Sequence, residues 1–274
     1  MSDIADRSVH DASRIFLSSE AYTNETAWHD AATLLRPESP ITWVEDENCY
    51  PFWALTKHAD ILEVELHPAE FLNEPRAILG TREGDDLRKE QGHLVKSLVQ
   101  MDDPEHRAHR GLTADWFLPK NLAKLDGRLE ELANRSLARM EELGGECDFA
   151  SDVALQYPLH VILAILGLPE EDYGRMLRLT PEMFGPEDSD FKRGDDALES
   201  VMATVADLVG YFVDLTGKRR ANPTEDLASV IANGLIDGQP MGDKETIGYY
   251  IIAATAGHDT TSNAMTGGLK ALLD

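Results

Sequence analysis

The chain has 274 residues, of which 42% are hydrophobic, so it is long enough to bury a large core. It carries 50 Asp and Glu against 25 Lys and Arg, and the resulting net charge of −25 disfavours nucleic acid and anionic lipid as partners. The first 20 residues include three Asp and no unbroken apolar run, so neither a signal peptide nor a membrane anchor is predicted. With only 2 cysteines, the expected location is the cytoplasm.

The N-terminal third combines helices with a small β region. A helical pattern with an irregular lead covers residues 3–35 and ends at the prolines that follow. Alternating and β-branched residues predict strands at 41–44 and 52–56, paired as a hairpin, and a short helix follows at 58–66. Residues 73–93 are rich in Gly and charged side chains, which predicts a mobile loop with at most a short helix inside it.

Helical patterns dominate from Asp103 onward. Gly185 to Asp190 interrupts two of these helices. The predicted fold class is mainly α with a small β region, and residues 1–274 are expected to form a single domain. The predicted helices lie at 104–116, 121–143, 151–166, 170–183, 194–219, 224–234 and from 243 to the end.

The first motif with chemical content lies at residues 101–112. Asp103 is a candidate N-cap and Pro104 suits the first helical position. His106 and Arg110 then lie one turn apart on the same face, and two such donors can clamp carboxylates. Taken alone, the motif is also compatible with an ordinary solvated basic face.

The second motif lies in a long C-terminal helix predicted from 244 to 273, with Asp243 as its candidate N-cap. A continuous helix of this length would extend roughly 45 Å. Between residues 246 and 269 the only Asp, Glu, Lys, Arg or His residues are His258 and Asp259. This composition predicts a helix that is buried on most sides.

Inside that helix, Ile252, Ala256 and Thr260 share one face, with Gly257 beside them. Small side chains there would let a flat, bulky group approach the backbone. A buried Asp259 would need a partner, a raised pKa or a water chain, and each of these suits proton delivery. Thr260 can bond back to the Ala256 carbonyl and loosen the helix locally. The alternative is a core helix whose Thr residues satisfy their own backbone and whose Asp meets a neighbouring Arg.

The segment Ala256-Gly257-His258-Asp259-Thr260-Thr261 closely resembles the oxygen-activating helix of the cytochrome P-450 superfamily, the haem-thiolate monooxygenases. In that family a His and an Arg four residues apart hold the haem propionates, and His106 and Arg110 match them. The resemblance covers essentially the whole chain and is greatest to the soluble bacterial subgroup, in its terpineol-hydroxylating branch. Further similar segments are 53–60, 111–117, 146–149 and 157–161.

The resemblance implies the P-450 fold up to its long central helix, with haem b as the cofactor. Thr260 would hydrogen-bond bound oxygen and Asp259 would relay protons. The 73–93 loop and the region around Phe184 would complete an apolar substrate pocket. The residues implied are His106, Arg110, Ala256 and Gly257 for cofactor binding, Ile252 and Thr255 for the substrate pocket, and Asp259 and Thr260 for catalysis.

The implied activity is insertion of one oxygen atom of dioxygen into a small apolar terpenoid or alkyl-aromatic substrate. In the family, an acidic ferredoxin-type iron–sulfur protein supplies electrons on the side of the propionate helix. Residues 88–124 hold seven Lys or Arg against five Asp or Glu, a mildly basic patch that is compatible with such a partner.

The sequence departs from the family in lacking the Glu-x-x-Arg and haem-cysteine motifs expected after the central helix. Cys49 and Cys147 have acidic neighbours that oppose a thiolate, so neither is expected to replace the axial ligand. The chain is therefore expected to be the N-terminal part of a monooxygenase, inactive alone, with its cysteine ligand beyond Asp274.

Two other functions stay open at this point. His258-Asp259, with His10-Asp11 and His29-Asp30, resembles the dyads of helical metal-dependent phosphohydrolases, which need further ligands converging on a metal. A non-catalytic binding protein derived from the monooxygenase fold is the other alternative.

Overall fold

The computed structural model describes residues 2–18, 20–184, 193 and 196–273. The predicted interruption at 185–190 lies outside these residues. The chain forms two compact units, which meet in sequence between His93 and Leu94. Within the described residues, no helix has both the length and the apolar character that a membrane span requires.

The first unit contains the predicted hairpin. Strand β1 pairs antiparallel with β2, and Trp43 lies opposite Trp53 with ring centroids 4.9 Å apart. The helix predicted over 3–35 is two helices separated by short 3-10 turns, because the Asn24 side chain accepts from the Ala27 amide and starts a new helix. The elements are α1 (Ser2–Ser13), α2 (Glu25–Glu38), β1 (Ile41–Val44), β2 (Phe52–Leu55), α3 (His58–Glu65) and α4 (Arg82–Gln91).

Helix α4 is the short helix expected within the 73–93 segment. The Thr81 hydroxyl caps it by accepting from the Gly84 amide. The buried Asp85 carboxylate pairs with Arg76 and with Arg88, the latter at 3.1 Å. A buried carboxylate is stable only with such partners, and the ion pair with Arg76 fixes α4 against the preceding segment, whereas the pair with Arg88 lies within α4.

The second unit is mainly helical. Its elements are α5 (Glu105–Ala114), α6 (Pro119–Leu122), α7 (Asp126–Glu142), α8 (Tyr157–Ile165), α9 (Tyr173–Phe184), α10 (Ala197–Ala221), α11 (Leu227–Ala232), β3 (Leu235–Ile236), β4 (Gln239–Pro240), α12 (Asp243–Ala256) and α13 (Asp259–Leu273). A π-helical turn, Ala150–Ala154, precedes α8. The fold class predicted from sequence, mainly α with a small β region, is confirmed.

Several predicted boundaries are corrected. Helix α5 begins at Glu105 with Pro104 as its N-cap, so Asp103 is not the cap. Helix α12 has Gly242 as its N-cap, and Asp243 is its first helical residue. The β3–β4 hairpin was not predicted, although Asp237 and Gly238 at its turn are the Asp-Gly pair that tight hairpins favour.

The predicted continuous C-terminal helix is interrupted at Gly257 and His258, which separate α12 from α13. Helix α12 is buried over most of its length. In α13 most residues are exposed, and Ser262 is its buried residue. Burial on most sides therefore holds for α12 only. Small, uncharged residues permit burial, but they do not supply the neighbouring element that would cover α13.

The core of the second unit surrounds α12. Its cluster joins side chains of α8, α9, α10 and α11 to those of α12. Phe212 stacks on Tyr250 with ring centroids 5.1 Å apart, and the Tyr250 hydroxyl donates to the Ala228 carbonyl at 2.6 Å. The Tyr250 hydroxyl is thereby satisfied in an apolar surrounding, and α12 is fixed against two neighbouring helices.

Candidate functional site

A cavity of about 830 Å³ lies along α5 and α12 in the second unit. Its volume falls in the range of about 300–1,000 Å³ that is usual for small-molecule and cofactor sites. The apolar part of its wall includes Leu98, Phe117, Ile252 and Ala253. The cavity therefore suits an apolar ligand body with polar groups at one side.

The polar side of the cavity is the face of α5 that carries His106 and Arg110. The neighbouring Arg107 binds the Asp103 carboxylate, which also lies 3.8 Å from His106 Nδ1. Arg110 has no hydrogen-bond or ion-pair partner among the residues that the structure describes. A guanidinium without an anion on the wall of an apolar cavity is suited to a ligand carboxylate.

The two walls of the cavity are joined by a buried pair of hydroxyls. Thr113 Oγ1 of α5 lies 2.7 Å from the Tyr249 hydroxyl of α12, and both residues line the cavity. Burial raises the pKa of Tyr249, so the phenol stays protonated and can donate. Sequence analysis did not assign either residue, because this contact joins positions 136 residues apart.

Of the two residues predicted for the substrate pocket, one lines the cavity and the other does not. Ile252 lines the cavity. Thr255 is buried and donates to the Ile251 carbonyl at 2.7 Å, so its hydroxyl is used within its own helix. Of the two small residues predicted to contact the cofactor, Ala256 is exposed and Gly257 packs against Ile162 of α8. Among the described residues, the wall of this cavity does not include Thr255, Ala256 or Gly257.

The two predicted catalytic residues begin α13, seven and eight residues after Ile252. Thr260 Oγ1 donates to the Ala256 carbonyl at 2.9 Å, as predicted from the sequence. Asp259 is exposed and accepts a weak hydrogen bond from Asn263 at 3.4 Å, so the expectation of a buried carboxylate is wrong for this chain. Asp259 and Thr260 are neighbours on an accessible surface and do not line the described part of the cavity wall.

The two cysteines lie elsewhere. Cys49 is buried in the first unit, and its pKa is raised by burial and by the Asp46 carboxylate. Cys147 is half-buried before the π-helical turn. Neither thiol belongs to the described cavity wall. The structure thus gives neither cysteine a role at the cavity.

The metal-dependent alternative finds no support. Within the described residues, no group of three His, Cys, Asp or Glu side chains converges to hold a metal ion. Both ring nitrogens of His258 are occupied, one by the Leu155 carbonyl at 2.6 Å and the other by the Thr180 hydroxyl at 2.9 Å. The ring is therefore not free to act as a metal ligand.

Comparisons with known proteins agree with the geometry. No protein-family model matches the chain. It is 36% identical over 271 residues to cytochrome P-450-terp of a Pseudomonas species, covering 94% of this chain and 63% of that protein. It is 30% identical over 252 residues to a steroid C26-monooxygenase of Mycolicibacterium smegmatis, covering 86% and 56%.

Solved structures show the same likeness. The crystal structure of CYP108D1 from Novosphingobium aromaticivorans matches with a TM-score of 0.79 and 43% identity, over 92% of this chain and 61% of that one. CYP268A2 of Mycobacterium marinum, in complex with pseudoionone, matches with a TM-score of 0.81 and 26% identity, over 94% and 62%.

The mainly helical fold matches that of solved cytochromes P-450. The chain belongs to this superfamily, as its similarity to cytochrome P-450-terp and to CYP108D1 shows. It spans about three-fifths of the length of the relatives just named. Members of the superfamily bind haem b, and the donors on α5 fit a group that carries two carboxylates.

Proposed function

We propose that the protein to which this chain belongs is a haem-dependent monooxygenase. It inserts one oxygen atom of dioxygen into a small apolar substrate. The observation that carries the proposal is the cavity between α5 and α12, whose wall combines apolar side chains with an exposed Arg110 that has no anionic partner among the described residues. The similarity to named monooxygenases supports the same class of reaction.

His106 and Arg110 would hold the propionates of haem from one side of the cavity. Arg110 suits this role best, since its neighbour Arg107 is already paired with Asp103. Leu98, Phe117 and Ile252 would pack on the porphyrin body and exclude water. When bound, haem supplies the redox chemistry that activates dioxygen.

Asp259 and Thr260 would hold and move protons beside the bound cofactor. The Thr260 hydroxyl donates to the Ala256 carbonyl and keeps its lone pairs free to accept from water. Asp259, next to Thr260 in the chain, carries a carboxylate that would take up protons and pass them to that water. Ala256, whose side chain is exposed just before this pair, would leave room for the cofactor, whereas Gly257 lies against Ile162 of α8.

The proposed substrate is a small terpenoid or alkyl-aromatic molecule, with Ile252 and Thr255 near it. The relative from Mycobacterium marinum was solved with pseudoionone bound, which supports an apolar ligand of this size class. An acidic ferredoxin-type iron–sulfur protein would deliver electrons at the exposed basic residues Arg107, Lys120 and Lys124. The free thiols of Cys49 and Cys147 suit the cytoplasm.

The test is the ferrous carbon-monoxide difference spectrum of the protein expressed from its complete reading frame, with haem supplied. A strongly red-shifted Soret band is expected, since it reports a cysteinate ligand. A folded protein that takes up no haem would contradict the proposal and would favour a non-catalytic binding protein.

A matched pair of variants tests the cofactor site. Arg110→Ala removes the unpaired guanidinium and is expected to weaken haem retention by about tenfold or more, the usual value of a charge-assisted hydrogen bond. Arg107→Ala removes an arginine that lines the same cavity but is already paired with Asp103, and it is expected to retain haem nearly as well. Equal retention by the two variants would show that Arg110 has no special role.

A further inference from the structure

The interruption between α12 and α13 contains a buried histidine. The side chain of His258 is 1% exposed, although the residues around it, Ala256, Asp259 and Thr260, are exposed. A histidine in such a place is costly unless both ring nitrogens have partners. His258 has two, and they come from distant parts of the chain.

The partners determine where the proton of the ring lies. His258 Nε2 is 2.6 Å from the Leu155 carbonyl, and a carbonyl oxygen can only accept, so Nε2 carries a hydrogen. His258 Nδ1 is 2.9 Å from Thr180 Oγ1. The Thr180 hydroxyl also lies 2.9 Å from the Met176 carbonyl, so it can donate either to that carbonyl or to Nδ1.

Burial lowers the pKa of His258, which favours the neutral ring near pH 7. The titratable neighbours that influence the ring are Asp259, which opposes this shift, and His160 of α8. In the neutral ring Nδ1 is an acceptor, so the Thr180 hydroxyl donates to it. The Leu155 carbonyl, the ring and the Thr180 hydroxyl then form one chain of directed hydrogen bonds.

These hydrogen bonds hold the turn that begins α13. The His258 amide bonds to the Thr255 carbonyl at 3.1 Å, and its own carbonyl accepts from the Ser262 amide at 3.0 Å. A Cβ on Gly257 would lie 3.2 Å from the Ile162 side chain, so the turn also lies close against α8. The turn is thereby fixed to three places: Leu155, directly after the π-helical turn, and the helices α8 and α9.

We propose that His258 is a positioning residue. As the Nε2–H tautomer, it fixes the α12–α13 turn to Leu155 and Thr180 and so sets where Asp259 and Thr260 lie relative to the cavity wall on α12. The catalytic meaning of this placement rests on the proposed monooxygenase function, whereas the hydrogen-bond chain itself does not. Because Thr180 lies on α9, a shift of that helix would be transmitted to the turn.

The first experiment is ¹⁵N NMR of the histidine rings in the protein, which needs no substitution. The expected result for His258 is the neutral Nε2–H tautomer near pH 7. The Nδ1–H tautomer would overturn the proposal, because it cannot donate to the Leu155 carbonyl. This measurement depends neither on haem nor on turnover. It therefore tests the His258 tautomer even if the monooxygenase proposal fails.

The second experiment compares amide hydrogen exchange at Ser262 in matched variants. Thr180→Val removes the hydroxyl that reaches His258, and exchange at Ser262 is expected to accelerate by about tenfold or more, the effect of losing one buried hydrogen bond. Thr216→Val is the control, because Thr216 is also buried and donates to Phe212 at 2.7 Å, and its contact on α12 is Tyr250, seven residues before Gly257. The Thr246 amide, which bonds to the Gly242 carbonyl at 2.8 Å, serves as the reference within each sample.

Two substitutions of His258 itself complete the test, one that keeps its hydrogen bonds and one that removes them. His258→Gln keeps a donor for Leu155 and an acceptor for Thr180, so exchange at Ser262 is expected to stay within about threefold of the wild type. His258→Phe keeps the volume and loses both bonds, so exchange is expected to accelerate at least as much as in Thr180→Val. Unchanged exchange in both His258→Phe and Thr180→Val would overturn the proposal.

In the haem-loaded enzyme, the product formed per reducing equivalent is expected to fall in Thr180→Val and not in Thr216→Val. If Thr180→Val changed the exchange rate at Ser262 but left the product formed per reducing equivalent unchanged, the catalytic role would be overturned. The hydrogen bonds of His258 would then only hold the turn in place.

Discussion

Gly248 gives the sharpest test of how α12 is packed. A Cβ at this position would lie 2.2 Å from the Lys96 carbonyl oxygen and 2.8 Å from the Ser97 amide nitrogen. These are backbone atoms, so they cannot move aside as a flexible side-chain end would. Gly248→Ala must therefore displace α12 or the 96–97 segment, and Tyr249 and Ile252 on the cavity wall would move with the helix.

The magnitude follows from two opposing effects. Overpacking a well-packed core costs about 1–3 kcal/mol. Because the added Cβ of Gly248→Ala would meet the backbone of residues 96–97, we take a cost of about 3 kcal/mol for this substitution. Replacing Gly by Ala within a helix returns about 1 kcal/mol. The net loss in the free energy of unfolding is about 2 kcal/mol, or about 4–8 °C in Tm for a unit of this size.

The matched control is Gly210→Ala. Gly210 lies in the middle of α10, and a Cβ there would meet nothing within 4 Å. This variant is expected to gain about 1 kcal/mol, so the two substitutions should differ by about 3 kcal/mol. Urea unfolding followed by circular dichroism measures both. Equal stability of Gly248→Ala and Gly210→Ala would refute the close approach of α12 to residues 96–97.

Three further predictions follow from other contacts. Burial lowers the pKa of His258 below its ordinary value of about 6.5, so the unfolded chain takes up the proton first as the pH falls. The contribution of His258 to stability is therefore full above about pH 6.5 and declines below it. His258→Gln should reduce this decline, measured as urea midpoints from about pH 7.5 to 5. Thr113→Val leaves the buried Tyr249 hydroxyl without its partner and should cost about 1–3 kcal/mol, whereas the double variant with Tyr249→Phe should cost less than the sum of the two single changes. Cys49, buried and with a raised thiol pKa, should react with a disulfide reagent at pH 8 far more slowly than the half-buried Cys147.

Each of these three has a contradicting result. The same pH dependence in wild type and His258→Gln would show that His258 is not protonated preferentially in the unfolded chain. Strict additivity in the Thr113 and Tyr249 cycle would mean that the two hydroxyls do not interact. Equal reactivity of the two thiols in the folded protein, with denatured protein as the control, would show that Cys49 is accessible.

The sequence by itself determined the local features of this protein. The placement of His106 and Arg110 on one face needs only a helix, because residues four apart share a face, and α5 begins one residue after the predicted start at Pro104. The back-bond from Thr260 to Ala256 is equally local and was predicted. The motif around Asp259 and Thr260 was also sufficient to place the chain in its superfamily, because it depends on residue identity alone.

Only the tertiary structure decided how these local features meet. The end of α12 depends on His258 finding Leu155 and Thr180, which lie 103 and 78 residues away, and no local propensity encodes that. The cavity depends in the same way on Thr113 meeting Tyr249 across 136 residues. Asp259 was expected to be buried because its neighbours in sequence are small and apolar. Burial depends on what packs over a helix, and the tertiary structure leaves Asp259 on an accessible surface.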